Sequence, residues 1–172
     1  MTEETSAHEE VAWTIRHPTP ADADGLALVH VTGWREAYGD LLPEHFYGTQ
    51  AMVQRRALWS RGTALPEYVA RTLVAELDGE IVGFALRTPT RDEDSPVPEE
   101  LAAIYVLSEV YGTGIGQALL DGALDGRPAM LWVAKDNPRA RRFYEKNGFH
   151  PDGEEKSDPD LKGLVEIRMV RR

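Results

Sequence analysis

Leu101-Ala102-Ala103-Ile104-Tyr105-Val106-Leu107 carries no charged or amide side chain, while most of the chain mixes apolar and polar positions. An unbroken apolar run of this length predicts a strand buried on both faces. Just beyond it, Ile115, Ala118, Leu119, Gly122 and Ala123 recur at the spacing of one helix face. Between the two lies Tyr111-Gly112-Thr113-Gly114-Ile115-Gly116-Gln117, with glycine at every second position. The pattern therefore predicts strand, glycine turn, helix.

The flanking pattern extends this unit in both directions. Val11 to Arg16 alternates and predicts a first strand. Asp22 or Asp24 caps a helix running to about Tyr38, with Leu26, Val29, His30, Gly33, Trp34 and Ala37 on its buried side. A second helix is expected from Gln50 to Arg61, with Val53, Ala57 and Leu58 inward and Gly62 as its stop. Pro66 opens a linker. Tyr68 to Leu77 and Glu80 to Arg87 are β-rich runs around Asp78-Gly79, a strong hairpin signal. Thr88 to Pro98, rich in proline and acid, reads as a mobile loop. After the glycine turn and its helix, which fades at Gly126, Ala129 to Ala134 predicts another strand. It should lie parallel to the buried one, since a helix crosses between them. Asn137-Pro138 starts a short helix by cap and N1 proline, with Ala140, Phe143 and Tyr144 along one side and Gly148 past its end. Leu164 to Val170 is a closing strand, and the pairing of His150 to Glu154 with it stays open. The fold class is mixed α/β: a central twisted, mostly antiparallel sheet with one parallel strand pair and helices on both faces. Residues 1–10 read as a flexible tail, and 11–172 as one domain.

Three glycines in a strand-to-helix turn point toward an anion. The first N–H groups of a helix have no partner within it, the macrodipole adds partial positive charge, and the lack of Cβ lets a phosphate reach the backbone. Composition narrows the rest. Of 172 residues, 42% are hydrophobic and 28% charged, an ordinary globular balance. No apolar run is long enough to span a membrane, and the polar start lacks a signal core. Cysteine is absent, which excludes disulfides and thiol catalysis and fits a cytoplasmic protein. The net charge of −10 argues against nucleic acid and is compatible with cationic substrates. No histidine–carboxylate cluster has metal-ligand spacing, so no catalytic metal is expected.

The glycine turn and the later stretch Asn137-Pro138-Arg139-Ala140-Arg141-Arg142-Phe143-Tyr144-Glu145-Lys146-Asn147-Gly148-Phe149, in this order and at this distance, resemble the GNAT N-acetyltransferase superfamily. The likeness is sharp from Leu101 to Phe149 and follows the element order over Val11 to Val170. It implies a GNAT-like acyl-CoA N-acyltransferase fold, acetyl-CoA as donor, and acetyl transfer to a primary amine by direct attack in a ternary complex. The implied cofactor contacts are Val106, Leu107, Tyr111, Gly112, Thr113, Gly114, Ile115, Gly116, Gln117, Asn137 and Arg142. Arg139 and Arg141 are alternatives to Arg142 for the terminal phosphate. The family's loop usually opens with Gln or Arg where this chain has Tyr111, which leaves the cradle to backbone N–H groups.

The chemistry needs a neutral amine. A lysine-like amine has a pKa of about 10.4, so reaching its neutral form near pH 7 costs roughly 4 kcal/mol. A carboxylate can take the proton; the resemblance points to Glu100, with Glu99 on the opposite face as the alternative. The resemblance also implies an oxyanion donor in the backbone near Val106 or Leu107 and places Tyr144 beside the departing thiolate. A phenol near pKa 10 against a thiol near 8.5 makes full transfer uphill by roughly 2 kcal/mol, so Tyr144 acts mainly as a hydrogen-bond donor. The resemblance places Trp34, Arg35 and Tyr38 on the acceptor side, and His30 on the same helix is a further candidate. Asp92, Glu93, Asp94, Glu99 and Glu100, clustered before the cofactor strand, would draw in a small cationic amine. A protein N-terminus or lysine is the alternative acceptor, and a non-catalytic acyl-CoA-binding regulator the alternative role. A Rossmann reading finds Asp136 about twenty residues past the glycines, where a ribose-binding acid stands, but Gln117 or Leu119 fills the slot of the required third glycine. The expected partner is a small-molecule amine, with no nucleic acid or membrane; a homodimer is left open.

Overall fold

The computed structural model describes residues 12–172; the tail at 1–10 and Val11 lie outside the described residues. The elements are β1 (Trp13–Arg16), α1 (Ala23–Tyr38), α2 (Thr49–Gly62), a single turn α3 (Pro66–Val69), β2 (Thr72–Leu77), β3 (Glu80–Pro89), β4 (Glu99–Val106), α4 (Ile115–Leu124), β5 (Ala129–Ala134), α5 (Pro138–Lys146), β6 (His150–Asp158) and β7 (Leu164–Arg171). They build one seven-stranded sheet in the order β1-β2-β3-β4-β5-β7-β6. Every neighbouring pair is antiparallel except β4 and β5, which are parallel. The β2–β3 hairpin turns on Asp78 and Gly79, both at positive φ, as the Asp-Gly pair predicts.

The parallel pair is joined at a single step, Glu100 opposite Met130. Each strand is otherwise committed elsewhere. β4 pairs with β3 from Glu99 to Val106, and β5 pairs with β7 along its whole length. In the β3–β4 ladder, Leu86 faces Ala103 while Arg87 faces Leu101, which leaves Ala102 as an extra residue. Such a bulge bends and twists its strand. β4 thus leans away from β5 above Glu100, and a wedge opens in the middle of the sheet.

One face of the sheet carries α4, with Ile115, Leu119, Leu120 and Leu124 buried against Ala75, Val82, Ala85 and Leu101. Phe143 and Tyr144 of α5 pack against the same cluster. The other face carries α1 and α2, where Leu26, Val29 and Trp59 meet Val74, Ile81 and Phe84. Burying side chains of this size contributes about 1.5–3 kcal/mol each.

Four expectations are corrected. The inward face of α2 is Ala51, Met52 and Trp59, whereas Val53 is 59% exposed and Ala57 is exposed; the large indole sets the rotation of the helix. Pro66 begins α3 rather than a linker. Asp22 stands at the start of α1 but makes no cap bond there; its carboxylate takes two hydrogen bonds from Arg16, at 2.7 and 2.9 Å, and one from the Thr19 N–H, at 2.7 Å. The loop after β3 is fastened rather than mobile. Asp92 Oδ2 accepts from Trp132 Nε1 at 2.9 Å, and Asp94 Oδ1 accepts from Arg168 Nη1 at 2.9 Å. The open question at His150 is settled by pairing: β6 runs antiparallel to β7.

Gly33 brings α1 close to β4. A Cβ there would lie 2.7 Å from Tyr105 Cδ1 and 2.9 Å from its Cβ, so the ring would have to move. Gly33→Ala should therefore destabilise the protein by about 1–3 kcal/mol, read by urea unfolding. A stability equal to wild type would show that Tyr105 is free to shift.

Candidate active site

A cavity of about 480 Å³ fills the wedge. Its walls are Leu101 to Val106 of β4, Trp132 to Ala134 of β5, Tyr38 of α1, the glycine turn, and Asn137, Arg139, Ala140, Phe143 and Tyr144 at α5. The strand geometry decides which backbone groups face it. Leu107 N–H donates to Val82 C=O at 2.9 Å, so Leu107 is turned toward β3. Alternation along an antiparallel ladder then turns the N–H and C=O of Val106 and Ile104 the other way, into the gap where β5 has withdrawn. Of the two backbone donors expected, only Val106 is available; Leu107 is corrected to a ladder residue.

The glycine turn forms the cavity's outer end. Gly112 and Gly114 sit at φ 79° and 87°, a region L side chains rarely occupy. A Cβ at Gly112 would meet no protein atom within 4 Å, so the space above it is open. No side chain caps α4 at Gly114, and the first N–H groups of the helix are left for an anion. Gly112, Gly114, Ile115, Gly116 and Gln117 line the cavity. Thr113 instead turns its hydroxyl onto Val110 C=O at 2.7 Å, while its own carbonyl accepts from Trp13 Nε1 at 3.3 Å. Its contribution is to hold the turn.

Tyr111 lies beneath the guanidinium of Arg139, whose central carbon is 3.3 Å from the ring centroid. Arg139 lines the cavity and Arg142 does not; Arg142 is exposed on the outer side of α5. The cation at the cavity rim is therefore Arg139. On the other side, Glu36 of α1 accepts from Ser108 N–H at 3.2 Å and Ser108 Oγ at 2.6 Å, which ties α1 to the segment leading into the turn. Asn137 caps α5 by accepting from Ala140 N–H at 3.1 Å and also lines the cavity.

At the inner end stand two tyrosines. Burial pushes the Tyr144 phenol up from its ordinary value, with the nearby Tyr38 adding to the effect. Burial pushes Tyr38 up to about 12, and Glu166 of β7 contributes. Both hydroxyls therefore stay protonated at neutral pH. Glu100 stands at the closed end, at the one step where β4 and β5 still pair, below the residues that line the cavity. Its side chain is 7% exposed, with Oε1 3.5 Å from Arg91 Nη2. Glu99 points to the α4 face and binds Arg87 at 2.8 Å. The acidic cluster expected to steer a cation is thus largely spent on internal pairs: Asp92 and Asp94 on Arg168, Glu99 on Arg87, Glu100 beside Arg91. Among the described residues no group of three or more His, Asp or Glu gathers to hold a metal, and no helix is long and apolar enough to cross a membrane.

A family model described as an acetyltransferase (GNAT) domain matches residues 69–151. A probable N-acetyltransferase of Mycobacterium tuberculosis is 31% identical, with 87% of each chain covered. This chain belongs to the GNAT acetyltransferase family. An uncharacterized N-acetyltransferase of Bacillus subtilis is 30% identical over 88% of this chain and 87% of its own. Among solved structures, the PaiA N-acetyltransferase of Thermoplasma acidophilum in complex with coenzyme A superposes with a TM-score of 0.69 at 22% identity, over 94% of this chain and 99% of that one. This last likeness concerns the fold.

For this GNAT acetyltransferase, sequence reasoning overlooked Tyr105, Glu36 and Glu166. Tyr105 is the one polar-tipped residue in the apolar strand, a signal that was present. Glu36 and Glu166 carry no local pattern; only the tertiary fold brings Glu36 to the rim and Glu166 near Tyr38. Among the acceptor-side candidates, Tyr38 lines the cavity, while Trp34 packs behind it with ring centroids 5.2 Å apart. His30 belongs to the core. It is enclosed by Trp34, Trp59, Phe84 and Tyr105, and its Nδ1 accepts from Trp59 Nε1 at 3.2 Å.

Burial, aided by the charge of Arg55, pushes His30 down from 6.5 to about 3. Below pH 6.5 the unfolded chain binds a proton at His30 that the folded chain does not, so stability falls as pH drops from 6.5 toward 3. The share lost between pH 7 and pH 5 is about 2 kcal/mol. His30→Gln, whose amide oxygen can still accept from Trp59, should remove that share. Urea unfolding at the two pH values reads it; an equal pH dependence in both proteins would contradict a neutral, buried His30.

Proposed function

We propose that this acetyltransferase is a cytoplasmic enzyme that moves the acetyl group of acetyl-CoA to the primary amine of a small molecule by direct attack in a ternary complex. One observation carries the reading: a wedge between β4 and β5 with an uncapped glycine turn at one end and a protonated tyrosine at the other. The residues present fit acetyl-CoA. The open space above Gly112 accepts a diphosphate that a side chain would exclude, with N–H groups of the turn and of α4 directed at it. Arg139 adds a positive charge at the rim. Val106 and Ile104 offer their backbone groups to the amides of the pantetheine arm, and Asn137 stands across from them.

Bound acetyl-CoA supplies an activated acyl group as a thioester. The protein's part is to position the amine, take its proton and support the departing sulfur. Val106 N–H is held without a ladder partner and directed at the gap, ready to donate to the acyl oxygen as negative charge grows there. Tyr144, kept protonated by burial, donates a hydrogen bond to the sulfur. The amine arrives as an ammonium cation, and its proton must leave before attack. We assign this to Glu100 through water at the floor of the wedge. Glu166, opposite Ala134 and close enough to Tyr38 for its charge to act there, is the alternative carboxylate at the inner end.

Thiol release from acetyl-CoA across a panel of primary amines tests the reading. Amine-dependent release is expected. Binding of acetyl-CoA without release on any small amine would favour a protein N-terminal or lysine acceptor or a non-catalytic acyl-CoA sensor, and failure to bind it would overturn the reading. Tyr144→Phe should lower kcat about 10- to 100-fold, the worth of a hydrogen bond to a charged group, with acetyl-CoA affinity kept. Unchanged turnover would return Tyr144 to a packing role. Glu100→Gln should depress the rate most at neutral pH and less at high pH, where the amine is already partly neutral. If Glu166→Gln shows that profile and Glu100→Gln does not, the base is Glu166.

A further inference from the structure

Arg55 on α2 is half-buried, and its guanidinium carbon lies 5.2 Å from the Trp34 ring centroid. It is close enough to Tyr105, which lines the cavity, and to His30 for its charge to shift both. Burial draws its own pKa down from 12.5. No carboxylate of the described residues comes within 4.0 Å of it, and it makes no hydrogen bond to them.

The other arginines of comparable burial differ. Arg16 binds Asp22 and Glu76; Arg87 binds Glu99; Arg71 faces Glu99; Arg168 holds Asp92, Asp94 and Asp152. Arg141 and Arg171 donate to the carbonyls of Lys135 and Arg127. Even the neighbour Arg56, more exposed, meets Asp24 at 3.1 Å. The Trp34 ring offers Arg55 a cation–π contact but no hydrogen-bond acceptor, and the guanidinium's planar fork of donors matches a carboxylate in bidentate fashion. The acids beside the cavity are engaged elsewhere: Glu36, which lines it, with Ser108, and Glu166, near Tyr38, with Lys156 at 3.6 Å.

Resting on the acetyl-transfer reading above, we infer that the acceptor carries a carboxylate as well as its amine, and that Arg55 binds this carboxylate. Arg55 stands just outside the residues that line the cavity, over Trp34, and Trp34, Tyr38 and Tyr105 carry a continuous aromatic surface from it to the cavity's inner end, so the hydrocarbon part of the acceptor spans these rings while its amine reaches Tyr144. The acceptor class is thus an amino carboxylate, a zwitterion. Its net charge is zero, unlike the small cationic amine that the acidic cluster before β4 suggests.

The test uses α-amino acids and a series of ω-amino carboxylates from β-alanine upward, each paired with its carboxamide, together with the matching aminoalkyl phosphonates. For at least one pair, kcat/KM should favour the carboxylate by ~10-fold or more. Arg55→Met should remove that advantage while leaving the carboxamide and the KM for acetyl-CoA unchanged; Arg55→Lys should keep part of it. Calorimetry of the same amino carboxylates on the CoA-loaded protein gives a reading independent of turnover, and binding should be lost in Arg55→Met, whose thermal unfolding is checked in parallel. No preference in the wild type, a preference that survives Arg55→Met, or a stronger preference for phosphonate would each overturn the assignment. Turnover of carboxamides in such a case would leave the acetyl-transfer reading standing. Absence of acetylation with every amine would count against that reading instead, and calorimetry would still decide for or against Arg55.

Discussion

Everything at the candidate site depends on β4 and β5 being unable to stay paired. A sheet normally satisfies its backbone groups strand to strand, and an unpaired N–H in the interior is expensive. Here β4 is held by β3 and bent by the extra residue Ala102, while β5 is held along its length by β7. One parallel step at Glu100 and Met130 survives. Above it, two strands in the centre of the sheet present their edges to a cavity. The cost of those open edges is what a ligand with its own amides and carbonyls can offset.

The same parting sets the order of the site from rim to floor. At the rim, the strand that leaves the sheet runs into the glycine turn, so backbone donors of α4 face the widest part of the wedge. Tyr111 does not replace the usual side chain by its own hydroxyl. Its ring instead carries Arg139 across from α5, so a cation stands at the rim though the loop lacks one. At the inner end, burial keeps Tyr38 and Tyr144 protonated, which suits hydrogen-bond donation more than proton exchange. The acids before β4, which the sequence presents as a free cluster, act as anchors for Arg168, Arg87 and Arg91, and so fasten the loop that closes the floor.

What was legible in the sequence is what local physics determines. Asp78-Gly79 specifies its hairpin, the glycine turn demands positive φ at residues 112 and 114, and Asn137-Pro138 opens a helix by cap and ring. The β2–β3 pair and the parallel β4–β5 pair follow from these and from the helix crossover, while the places of β1, β6 and β7 are set by the folded sheet. The rotation of α2 was not legible, because its polar face and apolar face differ little; the choice between Val53 and Trp59 is made by the space beside Phe84 and Tyr68, which exists only after folding. Leu107 was misplaced because which strand residues point into the wedge depends on ladder register and not on side-chain pattern. Glu166 and Arg55 reach the aromatic rings of α1, Tyr38 and Trp34, from elements far apart in the chain, and nothing near either residue in sequence marks it.

Backbone donors directed into the wedge are the groups that would receive acetyl-CoA, and amide hydrogen exchange resolved by residue reads them directly. With saturating acetyl-CoA, the amides of Val106 and of residues 112–116 should exchange more slowly, because they gain hydrogen-bond partners. Leu107 should change far less, since its N–H is already bound to Val82. Slowing at the glycine turn and Val106 with Leu107 little affected is the predicted pattern. Saturating acetyl-CoA that leaves Val106 and the glycine turn unchanged would contradict it.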